Sequence, residues 1–106
     1  MYFYVLQLFD TDYKEDINLA MISSGIKQAT VVEGMNLDNV LQKDFPLFAG
    51  FFTGTDRERY SLMVFGIVEE RETMISFLEI LQQAGIDNNR EEIFKLVILP
   101  AEKLAG

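Results

Sequence analysis

Polar side chains that interrupt apolar stretches are the residues of this sequence best placed to do chemistry. Lys95 lies in the run IFKLVILP, and Gln7 lies in YFYVLQLF. A lysine among apolar residues needs an ion-pair partner, a route for its ammonium group to water, or a ligand. A carboxamide in such a strand is either satisfied inside the core or contacts a ligand. Both residues are therefore candidates for binding a small molecule.

Two arginines form a further candidate. Arg57 and Arg59 precede a predicted strand, with Glu58 between them. Guanidinium groups at this position could bind an anion from a neighbouring cleft. The alternative is an ordinary solvated end of a loop.

The residue types that dominate enzyme active sites are scarce. The 106 residues include no histidine and no cysteine, which excludes Ser–His and Cys–His pairs, thiolate chemistry and an ordinary structural zinc site. No carboxylate lies inside an apolar strand, where burial would raise its pKa for acid–base work. The acids near Asp10 and Glu70 lack the spacing of a calcium loop and suit helix starts. We therefore expect neither a catalytic centre nor a metal site.

Composition narrows the partners and the location. The net charge is −8, and the nine basic residues are scattered along the chain, so we expect no nucleic-acid binding. The apolar runs are too short to span a membrane, and the first residues do not resemble a signal peptide. The lack of cysteine suits a reducing compartment, so we expect a cytoplasmic protein. The length and the 49% hydrophobic content predict a single globular domain over residues 1–106.

The pattern of apolar residues predicts six elements. Stretches rich in aromatic and branched residues predict strands at residues 2–9, 28–35, 59–70 and 91–100. Apolar residues at helical spacing predict helices in DTDYKEDINLAMISSGI and RETMISFLEILQQAGI. Thr11 or Asp12 would cap the first helix, and Gly25 and Gly85 would end the two helices. The order βαββαβ predicts an α+β, ferredoxin-like fold, with two helices on one face of a four-stranded antiparallel sheet.

The strands are apolar on both sides, and two helices on one face would cover only one of them. Phe3 and Val5 share one side of the first strand, and Ile93, Val97 and Leu99 share one side of the last, opposite equally apolar sets. Each large apolar side chain left in water forgoes roughly 1.5–3 kcal/mol. We therefore expect other copies of the chain to cover this side. The alternative is that strand ends and the long loop fold over it.

The segment DFPLFAGFFTGTDRER, residues 44–59, resembles a loop in its glycines, proline and charges. It nevertheless contains four phenylalanines: Phe45, Phe48, Phe51 and Phe52. Asn36 would cap a short helix before them. The rings are either buried by the assembly or form a surface for a partner.

The succession of strand, helix, GIKQATV, Gly34, long loop, strand, helix and the last strand KLVILP resembles the PII-like signalling proteins over nearly the whole chain. The resemblance implies a homotrimer whose sheets line the centre and whose helices face outwards. It also implies that residues 36–59 take the place of the T-loop, which contacts target proteins and changes shape with bound ligands. Ligands of the family bind in clefts between subunits. We expect Gly34, Arg57, Arg59, Lys95 and Gln7 to contact a ligand there.

One motif of that family is missing. Its glycine-rich TGxxGDGK loop, whose amides would hold phosphates, is replaced by GIDNNREEIFK. Lys95 keeps the place of the family's lysine, but Phe94 replaces the glycine before it. The resemblance is therefore to a divergent member, for which we expect no adenine nucleotide, and the sequence indicates no other cofactor.

These features favour a non-catalytic regulatory protein that senses a small-molecule effector and acts on a protein target through residues 36–59. One alternative is a cofactor-free enzyme built as a dimeric α+β barrel of ferredoxin-like subunits. Another is an ACT-like small-molecule-binding module, and a CutA-type trimer is a further alternative. Three subunits would favour the regulatory protein, whereas two would favour the enzyme or the ACT-like module.

Overall fold

The computed structural model describes residues 1–37 and 60–106, and its elements follow the predicted order. The strands are β1 (Tyr2–Leu8), β2 (Thr30–Met35), β3 (Tyr60–Val68) and β4 (Phe94–Pro100), and the helices are α1 (Lys14–Ser23) and α2 (Arg71–Gln83). The sheet order is β2-β3-β1-β4, and all neighbouring strands are antiparallel. This confirms the α+β class and the central position of β1 and β3. The topology is compatible with a ferredoxin-like fold.

Both helices cover the same face of the sheet. On β1 this face carries Tyr4, Leu6 and Leu8, each of which is fully buried. These side chains belong to one core cluster with apolar residues of both helices. The helical members recur at spacings of three and four, as expected for one face of a helix: Ile17, Ala20, Met21, Met74, Phe77 and Leu81.

The predicted ends of both helices are confirmed. Gly25 and Gly85 have φ angles of +87° and +91°, in the left-handed region that favours glycine. After α2, the Ile86 amide donates to the Leu81 carbonyl at 2.9 Å and the Gly85 amide donates to the Gln82 carbonyl at 3.0 Å. The same pair of bonds closes α1. This is the Schellman motif, and it explains why each helix is followed by Gly–Ile.

The predicted cap of α1 is wrong. Thr11–Tyr13 form a 3-10 turn in front of α1, and Asp10 caps that turn by accepting a hydrogen bond of 3.1 Å from the Asp12 amide. The helix itself begins at Lys14, and the side chain of Tyr13 before it makes no capping bond. The prediction failed because nearby aspartates and a threonine are all suitable caps, and the sequence does not show where the extra turn inserts.

All four strands are shorter than predicted, and β4 begins three residues later than expected. Residues 87–93 form turns, in which the Asp87 carboxylate accepts a hydrogen bond of 2.9 Å from the Asn89 amide. The turns direct Ile93 into the core, where it is only 2% exposed. The prediction that Ile93 shares a side with Val97 is therefore wrong, because strand alternation begins only at Phe94.

The other side of the sheet, called the second face below, carries no helix of the described residues. Strand pairing places side chains from all four strands on it: Phe3, Val5, Gln7, Thr30, Val32, Gly34, Ser61, Met63, Phe65, Ile67, Lys95, Val97 and Leu99. Its apolar members include some of the most exposed residues of the sheet, such as Val97 at 56% and Leu99 at 54%. The predicted second apolar face is thus confirmed.

Candidate functional site

A short line of residues crosses the second face and is called the polar row below: Gly34, Ser61, Gln7 and Lys95. Gln7 lies directly opposite Lys95 in the β1–β4 ladder, and Gly34 lies directly opposite Ser61 in the β2–β3 ladder. The Gln7 carboxamide links the two pairs, because its Nε2 atom donates to Ser61 Oγ across 3.5 Å. Strand pairing thus brings together three of the predicted ligand-binding residues, Gly34, Gln7 and Lys95.

Gln7 is partly satisfied within the fold and retains capacity for a ligand. Its long hydrogen bond to Ser61 uses one of the two carboxamide N–H groups. Within the described residues, the second N–H group and the side-chain carbonyl oxygen have no partner. A ligand placed over the second face can therefore meet both a donor and an acceptor at Gln7.

Ser61 is a part of the site that sequence reasoning missed. It is 5% exposed, and its hydroxyl is satisfied by Gln7. The signal was present in the sequence, since alternation along β3 places Ser61 on the same side as Met63 and Phe65. What the sequence lacked was the strand register that brings Ser61 within reach of Gln7.

Lys95 is exposed rather than buried, which favours the interpretation that its ammonium group reaches water. Its Nζ atom lies 5.9 Å from the centroid of the Phe9 ring. A cation–π attraction at such an exposed site contributes roughly 0.5–1 kcal/mol. No carboxylate of the described residues forms an ion pair with Lys95. The ammonium group therefore keeps its N–H donors for an anion.

Gly34 supplies open space. A Cβ atom at this position would meet the Ser61 carbonyl oxygen at 3.8 Å and Ser61 Oγ at 3.9 Å, which are ordinary van der Waals contacts. The fold therefore does not require glycine here, and the missing side chain leaves room beside Ser61.

The remaining predicted residues lie outside the described residues. These are Arg57, Arg59, Phe45, Phe48, Phe51 and Phe52, and their roles stay predictions. The described chain ends at Leu37 just after β2 and resumes at Tyr60 with β3. Because Gly34 and Ser61 lie next to these two points, the segment of residues 38–59 is attached to the sheet beside the polar row.

The polar row borders a cleft at the outer edge of β4. This cleft has a volume of about 300 Å³. It is lined by four apolar residues and three polar or charged ones: Leu78, Phe94, Leu96, Val97, Asn88, Glu91 and Lys95. Lys95 belongs both to the cleft and to the polar row, so that one ligand can contact both.

A second depression of about 350 Å³ lies between the end of α1 and the start of α2. It is lined by one lysine, Lys27, and two glutamates, Glu69 and Glu70, among others. None of the predicted site residues lines it. It is near the end of β3 where Val68 pairs with Tyr2, whereas the polar row lies towards the other end of the strand.

Residues 1–37 and 60–106 contain no group of three or more histidine, cysteine, aspartate or glutamate side chains that could hold a metal ion. No helix in those ranges is long and apolar enough to cross a membrane.

No protein-family model matches the chain, and no curated protein matches it significantly. The resemblance to PII-like proteins therefore stays a prediction.

Proposed function

We propose that this chain is a non-catalytic regulatory protein of PII-like type. It assembles through the second face into a homotrimer and binds a small-molecule effector in the clefts between subunits. The effector contacts the polar row. Arg57 and Arg59 stay predicted anion contacts outside the described residues, and the contact at the polar row does not depend on them. Residues 36–59, with their four phenylalanines, contact the target protein.

The exposure of the second face is the observation that carries this proposal. Five of its apolar side chains are between 40% and 56% exposed: Val32, Met63, Ile67, Val97 and Leu99. Covering them would stabilise the protein by roughly 25 cal/mol for each Å² removed from water. Contiguous apolar areas of this kind on a protein surface usually mark an interaction site.

The distribution of charge favours a second copy of the chain as the cover. The chain has 17 acidic residues and a net charge of −8, so most surfaces of two copies repel each other. Within the described residues, the second face carries no carboxylate and a single cation, Lys95. Two copies therefore repel each other less when they approach through the second face than through their acidic surfaces.

The position of the polar row supports a link between effector binding and the segment of residues 38–59. An effector at Gln7 and Ser61 lies beside the points where this segment leaves β2 and enters β3. A ligand shifts a conformational equilibrium by interacting differently with the two states. Effector contacts at this end of the sheet can therefore favour one arrangement of the segment and so change its affinity for a target.

The number of subunits tests the proposal, because the resemblance to PII-like proteins implies three subunits. Light scattering after gel filtration is expected to give three times the chain mass of 12.2 kDa. A soluble monomer at high concentration would overturn the proposal. A stable dimer would also overturn it and would favour the cofactor-free enzyme or the ACT-like module.

A pair of variants tests the surface involved. Val97→Glu places a charge on the second face and is expected to shift the assembly towards monomers. Ile22→Glu is the matched control, because Ile22 is 73% exposed on α1, on the other side of the sheet. The control is expected to leave the assembly intact. Equal dissociation of both variants would mean that added charge, rather than the second face, controls assembly.

A further inference from the structure

We propose that the polar row binds the carboxylate group of a small effector that carries one negative charge and an apolar body. This inference rests on the proposed function, since it names the class of ligand that the effector site takes.

The donors of the polar row match the two oxygens of a carboxylate. Lys95 and Gln7 are directly opposite each other on neighbouring antiparallel strands, a relationship that places their Cβ atoms about 5 Å apart. The Lys95 ammonium group and the second N–H group of the Gln7 carboxamide can thus each donate to one oxygen. A bond from a charged donor to a charged acceptor is about twice as strong as a neutral one.

The same donors do not match a phosphate group. Lys95 is the only cation on the second face within the described residues, so a doubly charged phosphate would keep an uncompensated charge beside apolar side chains. Phosphate sites usually add several backbone amides. Here β1 is paired on both sides, and its amides are engaged in the sheet.

The surroundings of Lys95 fit an apolar body. Val97 follows on the same side of β4 and is half exposed, and Val5 lies directly opposite Val97 on β1. The cleft of about 300 Å³ continues from these residues over Leu78 and Leu96, and Asn88 and Glu91 complete its lining. A ligand whose carboxylate lies between Lys95 and Gln7 can therefore place its hydrocarbon part over Val97 and in the cleft.

One chain leaves this site open to water. A second copy on the second face would enclose it, and exclusion of water strengthens the interaction between the ammonium group and the carboxylate. The site is therefore complete only in the assembly, which agrees with an effector that acts between subunits.

Phenylacetate is a suitable probe, since it combines one carboxylate with an apolar ring. The full chain, labelled with ¹⁵N, is titrated with sodium phenylacetate while the signals of the Gln7 side-chain amide and of the Lys95 and Val97 backbone amides are followed. Saturable shifts of these signals are expected. Lys95→Met is expected to weaken binding about tenfold or more, because it removes the charged donor. Lys103→Met, which removes an exposed lysine outside the site, is expected to bind as the unmodified chain does.

Two other probes test the ligand class. Phenylacetamide has the same shape without the charge, and inorganic phosphate has more charge without the apolar body. Equal binding of phenylacetamide, tighter binding of phosphate at the same residues, or unchanged binding by Lys95→Met would each overturn the inference. Trimers without saturable shifts would overturn it and leave the proposed assembly intact. Saturable binding by monomers would support the ligand class and contradict the assembly.

Discussion

Tyr4 lies directly opposite Gly66 in the β1–β3 ladder and occupies the space that a side chain at position 66 would need. A Cβ atom on Gly66 would lie 2.9 Å from the Tyr4 hydroxyl oxygen and 2.4 Å from the Gln28 carbonyl oxygen. The Tyr4 hydroxyl donates a hydrogen bond of 2.8 Å to that same carbonyl. Tyr4 thus connects the segment between α1 and β2 to the centre of the sheet, and Gly66 makes room for this contact.

We expect Gly66→Ala to lower the free energy of unfolding by about 2 kcal/mol, as is typical when atoms are added to a closely packed site. The added methyl group can be accepted only if the Tyr4 hydroxyl and the Gln28 backbone both move away from position 66. Urea denaturation at one fixed protein concentration measures the change, because assembly makes stability depend on concentration.

Gly34→Ala is the matched control for this substitution. It also replaces a glycine within the sheet, but its new Cβ atom meets only ordinary contacts at 3.8 and 3.9 Å. Alanine restricts the unfolded chain more than glycine does, so we expect unchanged or slightly higher stability. Equal destabilisation of the two variants would contradict the crowding argument at Gly66.

Tyr4→Phe removes the hydroxyl and leaves the Gln28 carbonyl without this donor. We expect the free energy of unfolding near neutral pH to fall by about 1 kcal/mol, the usual contribution of one such hydrogen bond. Tyr60→Phe provides the control, because Tyr60 is 44% exposed. A loss as large in the control as in Tyr4→Phe would show that the Gln28 contact is not the cause.

The Tyr4 hydroxyl also makes stability depend on alkaline pH. Burial raises the pKa of Tyr4 above its ordinary value of about 10. The unfolded chain therefore releases this proton at a lower pH than the folded chain, so the contribution is present below about pH 10 and is lost as the pH rises through the folded pKa. We expect the stability difference between the unmodified chain and Tyr4→Phe to shrink above about pH 10 in urea denaturation. A constant difference across that range would contradict the linkage.

The alternation of side chains along the strands and the glycines that end the helices made most of the fold predictable. The Gly–Ile pairs after both helices mark Schellman motifs. Alternation along β1 predicts that Tyr4 and Phe3 lie on opposite sides of the sheet, as they do in the structure. The start of β4 was not predictable in this way. Ile93 fits the alternation of the strand that follows, so the predicted strand included it, but turns around Asp87 direct Ile93 into the core.

The candidate site was only half visible in the sequence. Gln7 and Lys95 stand out because they interrupt apolar strands. Ser61 is not conspicuous, since it becomes part of the polar row only through the pairing of β1 with β3. Register depends on contacts between distant segments, and local patterns do not determine it.

The Schellman motif after α2 leads to a further prediction. At Gly85 the φ angle of +91° is unfavourable for alanine, while no atom lies within 4 Å of an added Cβ. Backbone strain alone should therefore decide the effect, and we expect Gly85→Ala to cost about 1–2 kcal/mol. Gly85→Asn should cost less, because asparagine adopts left-handed angles more readily. Urea denaturation of both variants checks the order, and a milder effect of alanine would contradict it.

A substitution at Ile93 tests how the turn that precedes β4 packs against the core. It is 2% exposed, although the alternation of β4 begins only after it. We expect Ile93→Ala to lower the free energy of unfolding by about 2–4 kcal/mol, because it opens a cavity beside the core. Ile22→Ala deletes the same atoms at a position that is 73% exposed, and we expect a change within about 0.5 kcal/mol there. Similar small losses for both variants in urea denaturation would mean that Ile93 lies at the surface, as the strand alternation alone would have placed it.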